Sequence, residues 1–404
     1  MTLFSLDTPD AGDEALASVG ARCYLALGRL DGAVAYAAPA VLQLFALLLV
    51  RRTLARSLAA AGYLFTEATF EAWLSRVGGP PQGGPGSAVP APALAAAVLA
   101  ELRAAKWPVL AEAADLVVRA AAHLARGEGA PGGGAAHAGS GAARRKGQGS
   151  QPHEDPGAVI EAARAWLSEG DDAPAARDAP PLSVVADRLA AAPALFVPIE
   201  RGATVLETDA GPVTVPLATA QAHGWALGLV LGGALAARGV LRRPLPFAGV
   251  IAPEVLRRDC EADVRHLRLA HDIGEAAHAM LGDLETARRL VARADVALAD
   301  ARSTSRAPVV FALIAGLGVA TRAQVADTFG MTAAGADGVL ARLQSAGLIA
   351  RRPGRAGRFG VAAGSGAGMR DNAGRVAEAL EATGVGEFDA AIADLDRLLV
   401  RSLR

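Results

Sequence analysis

The sequence predicts a mostly α-helical protein with one small β-hairpin in its helical part, then a compact helix-and-hairpin module and further helices. Alanine and leucine dominate while valine, isoleucine and aromatic residues are few, a composition that favours helix. Apolar residues recur at helical spacing through most of the chain. The pattern changes after Ala307, where two short helices are followed by two short strands.

The length, net charge and cysteine content of the chain limit the classes of protein to which it can belong. At 404 residues the chain is long enough for about two to four domains. A formal net charge of −1 excludes a globally basic coat and an acidic tail, so any contact with nucleic acid has to come from a local basic patch. Cys23 and Cys260 lie far apart and indicate no disulfide framework. The first residues lack a signal-peptide pattern, so we expect a cytoplasmic protein.

Residues 1–126 form the first predicted helical region. The apolar stretch 33–50 is almost long enough to span a bilayer, but Pro39 and Gln43 interrupt it. We therefore expect a buried helix that begins after Pro39, and no membrane contact. Thr66 is the expected N-cap of the next helix, because its hydroxyl can accept a hydrogen bond from the first helical turn.

A flexible linker is predicted at 127–157, where glycine, alanine and polar residues offer too little apolar surface to form a core. Residues 158–306 form a second predicted helical region. Its exception is 196–217, whose alternating pattern predicts a β-hairpin. A heptad seam at 283–302 predicts a bundle helix packed on this chain, which we favour, or an arm that pairs with another chain.

The segment 307–363 carries the most specific pattern in the chain. Thr321 and Thr332 are the predicted N-caps of two short helices, and Gly330 between them allows a sharp turn. Two short strands around a Pro-Gly turn complete the order of a winged helix-turn-helix. Residues 364–404 are predicted to be amphipathic helices that either pack on this chain or pair with a second copy in a homodimer.

This module predicts a contact with double-stranded DNA. The first turn of its second helix would face the major groove, and the arginines of its hairpin would lie on backbone phosphates. Gly335, Asp337 and Gly338 make that helix an unusual recognition helix, so a module that docks a protein partner is the alternative. The predicted DNA-binding residues are Arg322, Thr332, Ala333, Ala334, Arg342, Arg351, Arg352, Arg355 and Arg358.

Three stretches, 51–74, 233–259 and 283–361, resemble in their order the Fic-like proteins that carry a C-terminal helix-turn-helix. More closely, the chain looks like an uncharacterised bacterial family that joins an HTH DNA-binding domain to a helical domain. The resemblance covers about 40 % of the chain and rests on the order of the stretches, since none of them is diagnostic alone. It implies that the helical part is a Fic-like bundle.

The catalytic motif of Fic enzymes is absent. Those enzymes transfer AMP with a motif of the type HPFxxGNGRxxR, in which the histidine is a general base and the loop holds phosphates. The corresponding stretch, 215–226, keeps Pro216 but has no histidine at its start, no Gly-Asn-Gly and no arginine, and His223 is out of position. The inhibitory SxxxEG pattern corresponds to 57–62, where Ala61 replaces the glutamate. The resemblance therefore implies a scaffold without enzyme activity.

No other pattern in the sequence indicates a cofactor. There is no GxxxxGKS/T phosphate loop and no GxSxG nucleophile elbow. His271, Glu275 and His278 share one helix face at a spacing that can meet a metal ion, but a solvated helix face is the favoured interpretation. The resulting hypothesis is a bacterial transcriptional regulator that binds double-stranded DNA without cofactor or metal; the alternative is a protein-interaction module.

Overall fold

The computed structural model describes residues 11–83, 89–126, 155–168, 180–198, 203–208, 211–216, 223–300, 305–352 and 357–362. These residues are mostly helical, as predicted, and those up to Val361 belong to one compact unit. The predicted linker lies outside the described residues as far as residue 154, and the predicted helices at 364–404 lie outside them as well. The linker ends earlier than predicted, because Pro156 already begins a helix.

The described stretches contain thirteen α-helices, and a short 3-10 helix at Pro253–Leu256 precedes the tenth of them. Four of them begin with proline, which suits the first turn because the backbone N–H there has no partner within the helix. The helices are α1 (Ala11–Ala35), α2 (Pro39–Ala60), α3 (Glu67–Leu74), α4 (Ala91–Arg103), α5 (Pro108–Ala120), α6 (Ala122–Arg126), α7 (Pro156–Ser168), α8 (Pro181–Ala190), α9 (Gly224–Ala237), α10 (Ala262–Ala297), α11 (Ala307–Leu317), α12 (Arg322–Phe329) and α13 (Ala333–Ser345).

Seven short strands in the described stretches form three small antiparallel sheets. In the first sheet β1 pairs with β2, and in the second β3 pairs with β4 as the predicted hairpin, with Ala203 opposite Pro216. The third sheet has the order β5-β7-β6. The strands are β1 (Tyr63–Leu64), β2 (Gln82–Gly83), β3 (Ala203–Thr208), β4 (Gly211–Pro216), β5 (Val319–Thr321), β6 (Ile349–Arg351) and β7 (Arg358–Val361).

Helix α2 is the central element of the unit. It begins at Pro39, as predicted, and packs against α4, α5, α9, α10 and α11. Large side chains along its whole length, among them Phe45, Leu49 and Leu58, are fully buried. Seven of the ten residues from 41 to 50 are buried between these neighbours, which is why this stretch has almost the hydropathy of a membrane span. In the described part of the chain, no helix is long and apolar enough to cross a membrane.

Helix α10 and helix α1 pack closely along each other. Gly274 of α10 faces Cys23 of α1, and a Cβ atom at Gly274 would lie 3.7 Å from the Cys23 Cα. The heptad positions Leu284 and Ala287 are buried within this chain, which agrees with the favoured interpretation of the seam as a bundle helix. Burial raises the pKa of the Cys23 thiol to about 12, and a hydrogen bond with the Gly274 backbone acts in the opposite direction.

We expect only Cys260 to react rapidly with Ellman's reagent at pH 8 in the folded protein. The thiolate is the reactive species, and a buried thiol with a pKa of about 12 contains almost none of it at that pH. Cys260 is partly exposed. The Cys260→Ser variant should therefore be silent until it is unfolded in urea, when Cys23 should react. Rapid labelling of Cys23 in the native variant would contradict the packing of α1 on α10.

The elements from α11 to β7 form a module, residues 307–361, that shares the core of the helices before it. Helix α11 lies against α2 so closely that a Cβ atom at Gly316 would lie 2.4 Å from the Leu47 Cβ. Ion pairs and hydrogen bonds join other parts of the module to the helices: Arg76 Nη1 lies 3.2 Å from Asp327 Oδ2, and Arg293 donates to the Gly347 carbonyl. The module is therefore a fixed part of the unit.

Gln324 makes the most deeply buried of these connections. Its Nε2 donates to the carbonyl oxygens of Leu74 and Ala120, at 2.7 and 3.1 Å, and these are the last residues of α3 and α5. Its Oε1 accepts the backbone N–H of Thr321 at 3.0 Å and so completes the capping box at the start of α12. Carbonyls at a helix C-terminus have no partner within the helix, so one amide satisfies groups on three helices.

Replacing Gln324 by glutamate should destabilise the fold, because it removes both N–H donors and buries a carboxylate against two carbonyl oxygens. We expect the free energy of unfolding in urea at pH 7 to fall by about 3 kcal/mol or more. This loss of stability should become smaller as the pH falls. Burial should raise the pKa of the new carboxyl group in the folded state, and once protonated that group can donate to one of the two carbonyls.

The matched control is Gln43→Glu, the same chemical change at an exposed position of α2. That variant should stay within about 0.5 kcal/mol of the parent protein. Equal stability of the Gln324→Glu and Gln43→Glu variants would show that the buried amide does not hold the three helices together.

Candidate nucleic-acid interface

Local capping interactions define the two helices at the centre of the module. Thr321 caps α12, and its hydroxyl accepts the Gln324 N–H at 3.2 Å. The C-cap is Gly330, whose φ of +58° lies in the left-handed region that glycine adopts without strain. The Thr332 hydroxyl accepts the backbone N–H of Gly335 at 3.1 Å and caps α13. The two threonine caps and the turn at Gly330 are those that the sequence predicted.

Helix α13 has one buried and one exposed face. Ala336, Leu340 and Leu343 are buried in the module, against α11 and α12. The opposite face is open to solvent from its first turn to its last. Its exposed residues are Ala333, Ala334, Gly335, Asp337, Gly338, Ala341, Arg342 and Ser345. Two of the predicted DNA-binding residues, Ala333 and Ala334, thus lie at the accessible start of the helix, and Arg342 lies on the same face near its end.

The hairpin of β6 and β7 carries the next group of predicted residues. Arg351 and Arg352 are exposed, and the Arg351 guanidinium lies 5.9 Å from the centre of the Phe359 ring. The Arg352 backbone N–H donates to the Arg358 carbonyl at 3.0 Å, while the Arg358 side chain is half-buried. Arg355 lies outside the described residues. Two consecutive exposed arginines therefore lie at the end of β6.

Arg322, at the first position of α12, contacts α13. Its Nη1 lies 3.0 Å from Asp337 Oδ2, and both side chains are 55 % exposed. This contact brings the start of α12 next to the exposed face of α13. Sequence analysis selected Arg322 but did not identify Asp337 as its partner, because the two residues are separated by a turn whose geometry decides whether they meet.

The module is more basic than the chain as a whole. Residues 307–361 contain six arginines, two aspartates and no lysine or glutamate, which gives a formal charge of +4, whereas the complete chain has −1. One of the two aspartates, Asp327, is paired with Arg76 outside the module. The arginines that the structure describes lie on α12, α13 and the hairpin, so the positive charge belongs to the part of the chain that the sequence singled out.

The positions that the Fic resemblance singled out include two buried polar side chains. His223 is buried at the start of α9, with its ring centre 6.4 Å from that of Trp225, and Ser57 is buried within α2. His271, Glu275 and His278 are exposed on α10, in agreement with a solvated helix face. Within the described residues, no group of three or more histidine, cysteine, aspartate or glutamate side chains could hold a metal ion.

Comparison with known proteins identifies no relative. No family model matches the chain, no curated protein is similar to it, and no solved structure is similar to its fold.

Two residues of the module that were not among the predicted DNA-binding residues are prominent in the structure. Gln324 carries only the signal of a capping box in the sequence, and Asp337 carries the signal of being the one polar residue between Ala333 and Ala341.

The first turn of α13 is held by one side-chain hydrogen bond, which the Thr332 hydroxyl accepts from the Gly335 N–H. We expect Thr332→Ala to lower the free energy of unfolding by about 1 kcal/mol and to speed hydrogen exchange of the Gly335 amide, because that N–H loses its acceptor. Thr332→Ser keeps the acceptor and should match the parent protein in urea unfolding and in amide exchange. Unchanged exchange in the alanine variant would mean that the hydroxyl does not hold the first turn.

Proposed function

We propose that this chain is a DNA-binding protein, a transcriptional regulator that contacts double-stranded DNA through residues 307–361. The observation that carries the proposal is the arrangement of the module. A helix, a strand, two helices joined by a tight turn and a hairpin follow one another, and the first strand joins the hairpin as β5-β7-β6. This is the order of a winged helix-turn-helix, a module that places its last helix in the major groove.

In this proposal α13 enters the major groove with its N-terminal end. An α-helix with its side chains is about 10–12 Å across, close to the width of that groove. The small side chains of Ala333, Ala334 and Gly338 let the helix backbone approach the bases closely, and alanine methyl groups can contact the methyl groups of thymine. Thr332 supports this contact by fixing the first turn.

The arginines supply the affinity for the phosphate backbone. Arg351 and Arg352 on the hairpin are exposed, and we assign them, with Arg355 and Arg358, to the phosphates beside the groove. Arg322, at the start of α12, and Arg342, near the end of α13, are also exposed, and we assign them to the phosphates that border the groove. Contacts of this kind position the protein but do not read the sequence of the bases.

The helices before the module act as a scaffold in this proposal. The buried Gln324 and the close contact of Gly316 with Leu47 attach the module to them rigidly. We propose that this scaffold is a Fic-like bundle that has no AMP-transferase activity, in line with the missing motif. The bundle would then serve to orient α13 or to respond to a ligand.

A protein-docking module is the second candidate, and one observation favours it. The exposed face of α13 is composed mainly of alanine and glycine, and Arg342 is its single basic residue. A smooth, weakly polar helix face also suits a protein partner. This candidate predicts that the protein recovers a protein partner from cell extract in a nuclease-resistant manner and retains no DNA fragment.

The test is to incubate the purified full-length protein with fragmented DNA of its source genome and to sequence what is retained. We expect enrichment of a few sites that share an inverted repeat, as a homodimer would select. Absence of any enrichment at low salt, with protein shown to be folded, would rule out the proposal and favour the protein-docking candidate.

The hairpin arginines provide a second measurement. In the Arg351→Ala, Arg352→Ala double variant, affinity should fall for all DNA sequences, and the slope of log K against log salt concentration should decrease by about 2. The control is Arg22→Ala, Arg29→Ala, which removes the same charge from exposed positions of α1. If the salt slope fell by the same amount in both double variants, the hairpin arginines would make no specific contact with the DNA phosphates.

A further inference from the structure

We propose that Asp337 selects a cytosine in the bound DNA, its carboxylate accepting a hydrogen bond from the 4-amino group of that base. This inference rests on the proposed function, since it assumes that α13 lies in the major groove. The inference goes beyond the proposed function because it names the side chain that reads the DNA sequence and the base that this side chain recognises.

The composition of α13 leaves Asp337 as the one candidate in its first two turns. From Ala333 to Ala341 every other residue is alanine, glycine, valine or leucine, so no other side chain there can form a hydrogen bond with a base edge. Asp337 lies on the exposed face, one turn beyond Ala333 and Ala334. A side chain at this place is directed away from the core of the module and towards whatever the helix meets.

The chemistry of the carboxylate determines the base. An ionised carboxylate only accepts hydrogen bonds, and the donors that the major groove offers are the amino groups of cytosine and adenine. The adenine amino group stands beside the N7 atom of the same base, which is an acceptor and repels a carboxylate. At its major-groove edge cytosine presents only its amino group, with no acceptor of the same base beside it, so it is the preferred partner of Asp337.

Arg322 removes the main objection to an aspartate at a DNA surface. A free carboxylate would be repelled by the phosphates, but Arg322 Nη1 lies 3.0 Å from Asp337 Oδ2 and balances its charge. The contact involves one carboxylate oxygen and leaves Oδ1 available to accept from a base. The guanidinium group also has further N–H donors that can reach a phosphate while it holds the carboxylate in position.

A purely structural role of the ion pair explains the position less well. Both side chains are more than half exposed, and an ion pair of that exposure contributes little to folding stability. The packing of α12 on α13 is provided by the apolar residues and the two caps described above. An acidic residue on the exposed face of a module of net charge +4 is therefore better explained by a ligand that offers a hydrogen-bond donor.

The experiment compares the DNA sequences that full-length parent and variant proteins select from a randomised library, with affinities for the best site and for single-base changes of it. The parent protein should select cytosine at one position of each half-site. Asp337→Asn should switch that position to adenine, because an asparagine amide pairs with the N6 and N7 atoms of adenine. Asp337→Ala should lose discrimination at that position by about tenfold and leave the other positions unchanged.

Arg322→Ala is the matched control, because it breaks the same ion pair from the other side. It should weaken binding to all sequences and reduce the salt slope by about 1, while cytosine remains preferred. An Asp337→Asn protein that selects the same sequence as the parent would overturn the inference and leave the proposed function intact. A parent protein that binds no DNA would instead refute the proposed function itself.

Discussion

The buried amide of Gln324 is the contact on which the arrangement of the molecule depends. It joins the first helix of the tight turn to the C-terminal ends of α3 and α5, which belong to helices far earlier in the chain. Replacing this side chain by one that cannot donate is costly, because each buried carbonyl would lose its partner while staying out of contact with water. The module and the helices before it accordingly belong to one compact unit.

This attachment has a consequence for any regulation of DNA binding. Helix α11 is seated on α2 through the contact of Gly316 with Leu47, and α12 is seated on α3 and α5 through Gln324. A ligand of the bundle that shifts α2, α3 or α5 would then also displace α13, since closely packed elements transmit a displacement and do not absorb it. In this respect the proposed regulator would differ from one whose DNA-binding module is joined to the rest of the protein by a flexible linker.

The features that sequence analysis could predict are those that depend on residues close together in the chain. Thr321 and Thr332 cap their helices through hydrogen bonds to residues three positions later, and such spacing is visible in the sequence. Strand β5 was missed, because its three residues form a strand only by pairing with β7 about forty residues later. The partners of Gln324 and Asp337 were missed for the same reason: each contact depends on how elements pack after they have formed.

A recognition helix with one polar side chain in its first two turns also constrains how the proposed regulator finds a site. One good base contact discriminates by about 1–3 kcal/mol, or roughly 5- to 150-fold, whereas a genome offers about a million or more competing sites. The arginines raise the affinity for all of these sites equally, because they contact phosphates. A second copy bound to an inverted repeat doubles the base contacts, and the free energies of well-separated contacts add. The proposed function therefore requires a homodimer on DNA, because a single copy of this chain would bind with little preference among sequences.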